Sequence, residues 1–182
     1  WCSCENAAGG EAGFNLQVET YIENSLPGQT TYRIYVTTPG TEDFISAVTG
    51  DAVVPAFLHT TTSFYQDMFG SVNASDINPL FFGLFPDLAY DSWLTIGIES
   101  APTGDQSTVQ MVVAGGDTWD DDFEAGGNLD INSFFGGSWF ALNTASNGYA
   151  GDDQRVLVAQ LTTDGEIEGQ LYVQVFPNGD SS

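Results

Sequence analysis

Lysine is absent from this 182-residue sequence and only two arginines are present, against 25 Asp and Glu, so the formal net charge is −23. Binding to nucleic acid is excluded as a function, because affinity for the phosphate backbone comes from Lys and Arg side chains. Attraction to anionic membranes is excluded for the same reason. Schiff-base chemistry and a phosphate-binding P-loop both need a lysine that this chain does not have.

A surface this acidic repels itself, and salt or bound divalent cations relieve the repulsion. We interpret it as the surface of a secreted protein that stays soluble in saline surroundings. The alternative is that clustered carboxylates bind Ca²⁺ specifically.

Histidine is nearly absent, since His59 is the single one. Any Ser/His/Asp triad would have to use it, and the sequence has no Gly-x-Ser-x-Gly nucleophile motif. We therefore predict that His59 is a packed or surface residue and that the protein is not an enzyme. A polysaccharide hydrolase remains an alternative, because a fold this rich in acids can place two carboxylates about 5–10 Å apart, although the sequence names no pair.

Cysteine occurs only at Cys2 and Cys4, which are too close in the chain for a relaxed disulfide. They fit the end of a cysteine-bearing linker with partners outside this chain, or intermolecular bridges; a strained loop or free thiols are the alternatives. The chain opens on Trp1 rather than Met, which suggests a processed product or an excised fragment. We expect a linker or leader at 1–13, a single domain at 14–179 and a tail at 180–182. No run of about 18 apolar residues is present, so we predict no membrane insertion.

What the sequence does contain is a succession of short alternating segments. Strands are predicted at 14–23 and 30–38, joined by a turn at Pro27-Gly28, because apolar residues recur there with a period of two. Further strands are predicted at 90–99, 107–114, 129–135, 138–143 and within 155–176. The segment 43–48 fits a short strand or one helical turn, and 55–69 is ambiguous, because its Thr60-Thr61-Thr62 run favours a strand whereas the residues from Ser63 to Phe69 have some helical spacing. We predict an all-β fold, an antiparallel β-sandwich of jelly-roll or Ig-like type. Two long irregular loops, at 70–92 and 115–128, interrupt it.

The segment from 155 to 176 is predicted to be a hairpin around Asp164-Gly165, a dipeptide that favours a type I′ turn. This register places Val158 opposite Leu171. The strand at 155–163 is apolar on both faces, which predicts an inner strand of the sandwich. Hairpin pairing is also expected between 129–135 and 138–143, and 107–114 is expected beside 90–99.

The loop at 70–92 carries an apolar run, Leu80 to Phe85. We predict that this loop packs over an open end of the sandwich; the alternative is an exposed apolar patch that recruits a partner. Asn73-Ala-Ser75 within it is a formal N-glycosylation site.

The loop at 115–128 is dense in acids, and Ca²⁺ takes six to eight oxygen ligands. A metal site is therefore a hypothesis here, although the spacing is not that of an EF-hand, and a solvated loop is the alternative. A second pair of acids follows Gly151. The candidate metal ligands are Asp117, Asp120, Asp122, Glu124, Asp152 and Asp153. Trp93, Trp119, Trp139 and Tyr149 are candidates for a sugar-stacking platform, with burial in the core as the alternative.

Several stretches resemble a module of very large, repetitive secreted proteins of marine Bacteroidetes-type bacteria, in which cysteine-rich acidic linkers join the modules. They are Thr30 to Val36, Thr60 to Tyr65, Ala89 to Gly97, Gly136 to Trp139 and Gly151 to Gly165. The resemblance covers about residues 14–179. It implies a location outside the cell or at its surface and a structural or adhesive role, and it carries over no functional residues.

We therefore expect an extracellular structural or adhesive module, a candidate subunit of a surface fibre or layer. Its expected partners are other copies of itself, neighbouring modules or glycans, and an edge strand or the 1–13 leader would provide the contact. The rival functions are a Ca²⁺-dependent carbohydrate-binding module and the polysaccharide hydrolase.

Overall fold

The computed structural model describes residues 13–180. The predictions for Cys2, Cys4 and the 1–13 leader concern residues outside this range, apart from Gly13, as does the prediction for the last two residues of the 180–182 tail. Within the described residues the chain is mostly β, with eleven strands and one six-residue helix, α1 (Trp119–Glu124). The strands are β1 (Asn15–Leu26), β2 (Gln29–Thr37), β3 (Phe44–Gly50), β4 (Ala56–Thr60), β5 (Trp93–Leu94), β6 (Gln110–Val113), β7 (Leu129–Ile131), β8 (Gly137–Phe140), β9 (Arg155–Thr163), β10 (Ile167–Gln170) and β11 (Tyr172–Phe176).

The strands form three antiparallel sheets. The first has the order β1-β2-β9-β5, the second β10-β4-β7, and the third β11-β3-β8-β6. The predicted hairpin of β1 and β2 is confirmed, with Leu26 opposite Gln29 and Gly28 at a φ of 81° in the turn. The inner position predicted for the 155–163 strand is also confirmed, because β9 lies between β2 and β5.

The hairpin predicted around Asp164-Gly165 is wrong. After β9 the chain leaves the first sheet: β10 pairs with β4, placing Ile167 opposite Thr60, and β11 pairs with β3, placing Val173 opposite Val48. Asp164 and Gly165 also lack the positive φ that a type I′ turn needs.

Threonine hydroxyls hold this crossing between sheets. The Thr163 hydroxyl lies 2.8 Å from that of Thr60 and 3.0 Å from that of Thr62, and Thr62 donates to the Asp164 carboxylate at 2.6 Å. The apolar side chains of β10 and β11 then pack against the core cluster that contains Val158, rather than beside β9 in one sheet. The alternation predicted this shared burial but not its geometry.

Two further predicted pairings are wrong for the same reason. β7 pairs with β4 and β8 pairs with β3, so the 129–143 segment crosses between sheets instead of forming a hairpin. β6 pairs with β8 and not with the segment around β5. The 115–128 segment, predicted to be an irregular loop, contains the helix α1. Trp119 and Phe123 lie one turn apart on this helix and are both buried.

One main core draws on all three sheets. Val158 and Ile34 come from the first sheet, Leu58 from the second, and Val48 and Trp139 from the third. Trp139 is fully buried, and its indole N–H donates to the carbonyl oxygens of Thr95 and Val158, at 3.1 and 3.2 Å. The tryptophan of the third sheet is thereby hydrogen-bonded to the backbone of the first.

The 70–92 segment covers the opposite face of the first sheet. Its Ala74, Ile77 and Leu88 form a second buried cluster with Trp93, Leu157 and Tyr35 of that sheet. It therefore packs on a face of the sheet, where the sequence predicted an open end. This cover explains why β9 is buried on both sides. Within residues 13–180, no helix has the length and apolar character needed to cross a membrane.

Candidate functional site

The outer part of the 67–88 segment exposes large apolar side chains. Met68, Leu80 and Leu84 are 87%, 79% and 72% exposed. Phe69 and Phe81 are each 37% exposed, and Phe69 stacks on Phe85 with ring centroids 3.9 Å apart. We call these six residues, Met68, Phe69, Leu80, Phe81, Leu84 and Phe85, the apolar surface. The inner part of the loop packs on the sheet, whereas its outer part is the exposed patch that the sequence offered as the alternative.

A buried carboxylate anchors this surface from below. Asp91 is fully buried, and its two oxygens accept hydrogen bonds from the backbone N–H groups of Asp67, at 2.7 Å, and Ser71, at 3.1 Å. A side chain at Gly70 would collide with the same carboxylate. The turn that presents Met68 and Phe69 is therefore bound at both ends.

The environment of Asp91 favours its protonated form. Burial raises the pKa of Asp91 to about 7; the nearby carboxylates of Glu124 and Asp67 add to the rise, and the two backbone hydrogen bonds oppose it. Burial also raises the pKa of Glu124, against a hydrogen bond from the Val72 N–H. Asp91 was not recognised in the sequence, since a single Asp before a strand carries no burial signal.

The predicted calcium ligands are not gathered by α1. Asp117 accepts from the Thr118 N–H and Asp122 from the Thr118 hydroxyl, whereas Glu124 has one carboxylate oxygen buried. Successive residues of a helix point about 100° apart, so Asp120 and Asp122 diverge. No set of three His, Cys, Asp or Glu able to hold a metal occurs in the part of the chain that is described.

The second acidic pair, Asp152 and Asp153, is exposed in the turn before β9. The calcium hypothesis stays a prediction for both places. Titration calorimetry with Ca²⁺ decides it, and a melting temperature that Ca²⁺ raises no more than Mg²⁺ at equal ionic strength would exclude a specific site.

The four aromatic residues suggested for sugar stacking and the asparagine of the glycosylation motif are mostly buried. Trp93, Trp119 and Trp139 are buried, so they offer no sugar-stacking platform, whereas Tyr149 is partly exposed. Asn73 is 5% exposed, and its amide donates to the carbonyl oxygen of Val109. Attachment of a glycan to Asn73 in the folded protein is therefore blocked.

His59 lies half-buried on β4. Its ring nitrogens face Asp130, at 2.8 Å, and Glu168, at 3.5 Å, on the two neighbouring strands. The ring also packs on Phe57. This is a cross-strand pairing within the second sheet.

The two arginines, Arg33 and Arg155, are both engaged. Arg33 binds Glu99 through two nitrogens, at 3.0 and 2.7 Å, and Gln160 through a third, at 3.1 Å. Arg155 pairs with Glu19 at 2.7 Å. With no lysine in the chain, these are its only permanent cations, and the apolar surface includes neither of them.

Comparison of the chain with protein-family models, with curated proteins and with solved structures finds no match.

Proposed function

We propose that this chain is an extracellular, non-enzymatic structural or adhesive module that attaches to a partner protein through the apolar surface. The observation that carries the proposal is the exposure of Met68, Leu80 and Leu84 beside stacked phenylalanines. Soluble proteins rarely expose contiguous apolar patches, and those that do often use them as interfaces. The resemblance to modules of large secreted surface proteins supports the location outside the cell.

The apolar surface is also organised before any partner arrives. Phe69 contacts both Phe81 and Phe85 through its ring, and Asp91 binds the backbone on either side of it. Little side-chain or loop entropy is then lost on binding, which favours affinity.

Charge points to the chemistry of the partner. Burial is the main cause of the raised pKa of the Tyr65 hydroxyl, and the nearby carboxylates of Asp67 and Asp87 raise it further. The apolar surface thus has acidic neighbours and lies on a chain of net charge −23. Electrostatic complementarity favours a partner that places Arg or Lys beside apolar side chains, and it disfavours a second copy of this chain.

The architecture that we infer is a two-layer β-sandwich. The first sheet would form one layer, and the second and third sheets together would form the other. Support comes from the shared core and from three chain segments, β3 to β4, β7 to β8 and β10 to β11, that each run between the second and third sheets. The same proposal includes strand connections of jelly-roll or Ig-like type.

A non-enzymatic role is supported by the environment of the buried acids. Asp91 is close enough to Glu124 to be affected by its charge, but both Asp91 oxygens are bound to backbone N–H groups and none of the residue is exposed. A carboxylate held in this way cannot reach a glycosidic bond. Assays on polysaccharide substrates test the hydrolase alternative, and a glycan array with and without Ca²⁺ tests the calcium-dependent sugar-binding alternative.

The apolar surface is tested with the double variant Leu80→Ser/Leu84→Ser. Both side chains are largely exposed, so we expect each change to alter the free energy of unfolding by no more than about 0.5 kcal/mol. Calorimetry in physiological salt measures binding of a synthetic amphipathic peptide of Leu and Lys. We expect the double variant to bind this peptide at least about tenfold more weakly than the wild type does.

Two controls separate specific docking from charge attraction. Val53→Ser changes a residue that is 86% exposed in another loop and should leave peptide binding unchanged. A Leu and Glu peptide of the same pattern should not bind. Equal binding by the wild type and the double variant would refute the proposal. Sedimentation showing self-association that the double variant abolishes would replace the basic partner with a second copy.

A further inference from the structure

A polar groove lies apart from the apolar surface and shares no residue with it. Its volume is about 350 Å³, and its polar lining includes Glu99, Gln106, Ser146, Tyr149, Asp153 and Arg155. It forms where the start of β9 meets the segments 97–106 and 146–153. Cavities of roughly 300–1,000 Å³ are the usual size of small-molecule sites.

The charged side chains of the groove are held in place by residues around it. The Arg155 guanidinium lies 4.0 Å above the Tyr35 ring and donates to Glu19 at 2.7 Å. Glu99 is held through both carboxylate oxygens by Arg33. Side chains fixed in this way need little reordering when a ligand binds.

The lining offers donors and acceptors side by side. Arg155 and the Gln106 amide can donate, the Asp153 and Glu99 carboxylates accept, and the Tyr149 hydroxyl can do both. A ligand that matches this set must itself donate and accept at many positions. Hydroxyl groups do both, so a polyhydroxylated ligand satisfies more of the lining than one that carries donors or acceptors alone.

Charge narrows the ligand class further. Two arginines, Arg33 and Arg155, stand against three carboxylates, Glu19, Glu99 and Asp153, so the local balance is one negative charge. Phosphate, sulfate and uronate groups would meet these carboxylates in a chain of net charge −23 and would be repelled. We propose that this groove binds a neutral oligosaccharide, about one or two sugar rings of which fit its volume. This goes beyond the proposed function and does not depend on the apolar surface.

The test uses two adjacent acids. Asp152 and Asp153 are both exposed in one turn and lose the same charge on replacement, but only Asp153 lines the groove. The probes are cellobiose, maltose and mannobiose, followed by saturation-transfer NMR and calorimetry, together with a sulfated disaccharide as the anionic counterpart. We expect at least one neutral disaccharide to bind, and Asp153→Ala to weaken it about tenfold, as loss of a hydrogen bond to a charged group does. Asp152→Ala should stay within about twofold of the wild type.

Three results would overturn the assignment. They are the absence of binding by all three neutral disaccharides at millimolar concentration, an equal loss of affinity in the two variants, and tighter binding of the sulfated sugar. Thermal melting of both variants checks that the fold is retained. Because the groove contains no residue of the apolar surface, the Leu80→Ser/Leu84→Ser variant should bind the sugar as the wild type does. Failure of the disaccharides to bind would therefore not change the interpretation of the peptide experiment.

Discussion

Replacing Trp139 by alanine is expected to lower the free energy of unfolding by about 3–5 kcal/mol, the cost of removing a large aromatic side chain from a packed core. Trp139 is fully buried on β8, and its N–H reaches the carbonyl oxygens of Thr95 and Val158 in and beside the first sheet. Since a domain has only about 5–15 kcal/mol of stability, this one change should bring the protein close to unfolding. Urea denaturation followed by circular dichroism, in buffer with salt that screens the net charge, measures the effect.

Trp139→Phe separates packing from hydrogen bonding. Phenylalanine keeps most of the apolar volume but has no N–H donor, so we expect a loss of about 1–3 kcal/mol from the buried carbonyl groups. The carbonyl oxygen of Val158 also accepts the Thr95 N–H, at 3.0 Å, so part of the network survives. Val53→Ala, on the exposed surface, should change stability by no more than about 0.5 kcal/mol. A loss below about 1 kcal/mol in Trp139→Ala would show that the sheets do not share this core.

Stability is expected to fall as the pH rises from about 4 to about 8, because Asp91 is buried. The pKa of Asp91 is raised from 3.8 to about 7 in the folded protein, so between these values the folded chain binds more protons than the unfolded chain. The stabilisation is complete below about pH 4 and is lost as the pH passes 7. Each pH unit is worth about 1.4 kcal/mol, so Asp91 accounts for up to about 4 kcal/mol.

Within residues 13–180, the two other acids with shifted pKa values, Glu124 and Asp51, do not reverse this direction. Glu124, whose charge helps to raise the pKa of Asp91, also has its own pKa raised by burial and acts in the same sense. Asp51 has its pKa lowered by backbone hydrogen bonds from Val54 and Val53, so its contribution is lost only as the pH falls below about 4. The protein should therefore melt at a higher temperature near pH 5 than near pH 8.

Asp91→Asn tests the assignment of this slope to one residue. Asparagine cannot ionise, so the difference between the free energies of unfolding at pH 5 and pH 8 should shrink by several kcal/mol. This decrease is most of the contribution to stability that Asp91 makes. Asp87→Asn removes an exposed acid of the same segment and should keep the slope. Chemical denaturation at both pH values gives the comparison. An unchanged slope in Asp91→Asn would assign the pH dependence to the general acidity of the surface.

Each candidate site combines residues that a sequence pattern indicates with residues that only folding brings beside them. The apolar run at Leu80 to Phe85 is visible as a pattern, but burial of Leu88 and exposure of Leu84 are decided by which side of the loop meets β2 and β9. Asp153 was singled out as an acid, yet its neighbours in the groove, such as Glu99, lie about 50 residues away in the chain.

The β1 and β2 hairpin, the two-sided burial of β9 and the scarcity of cations followed from the sequence, because alternation, turn residues and composition are local properties. The strand that 55–69 allowed and the strand predicted at 90–99 were too long, since the structure has only Ala56–Thr60 and Trp93–Leu94 there. The pairing of β9, β10 and β11 was decided only by the tertiary structure. A period of two reveals which face of a strand is apolar, but it does not reveal whether that face packs beside its neighbour or across the core from it. Asp91 illustrates the same limit, since the burial that raises its pKa comes from segments that meet only when the chain is folded.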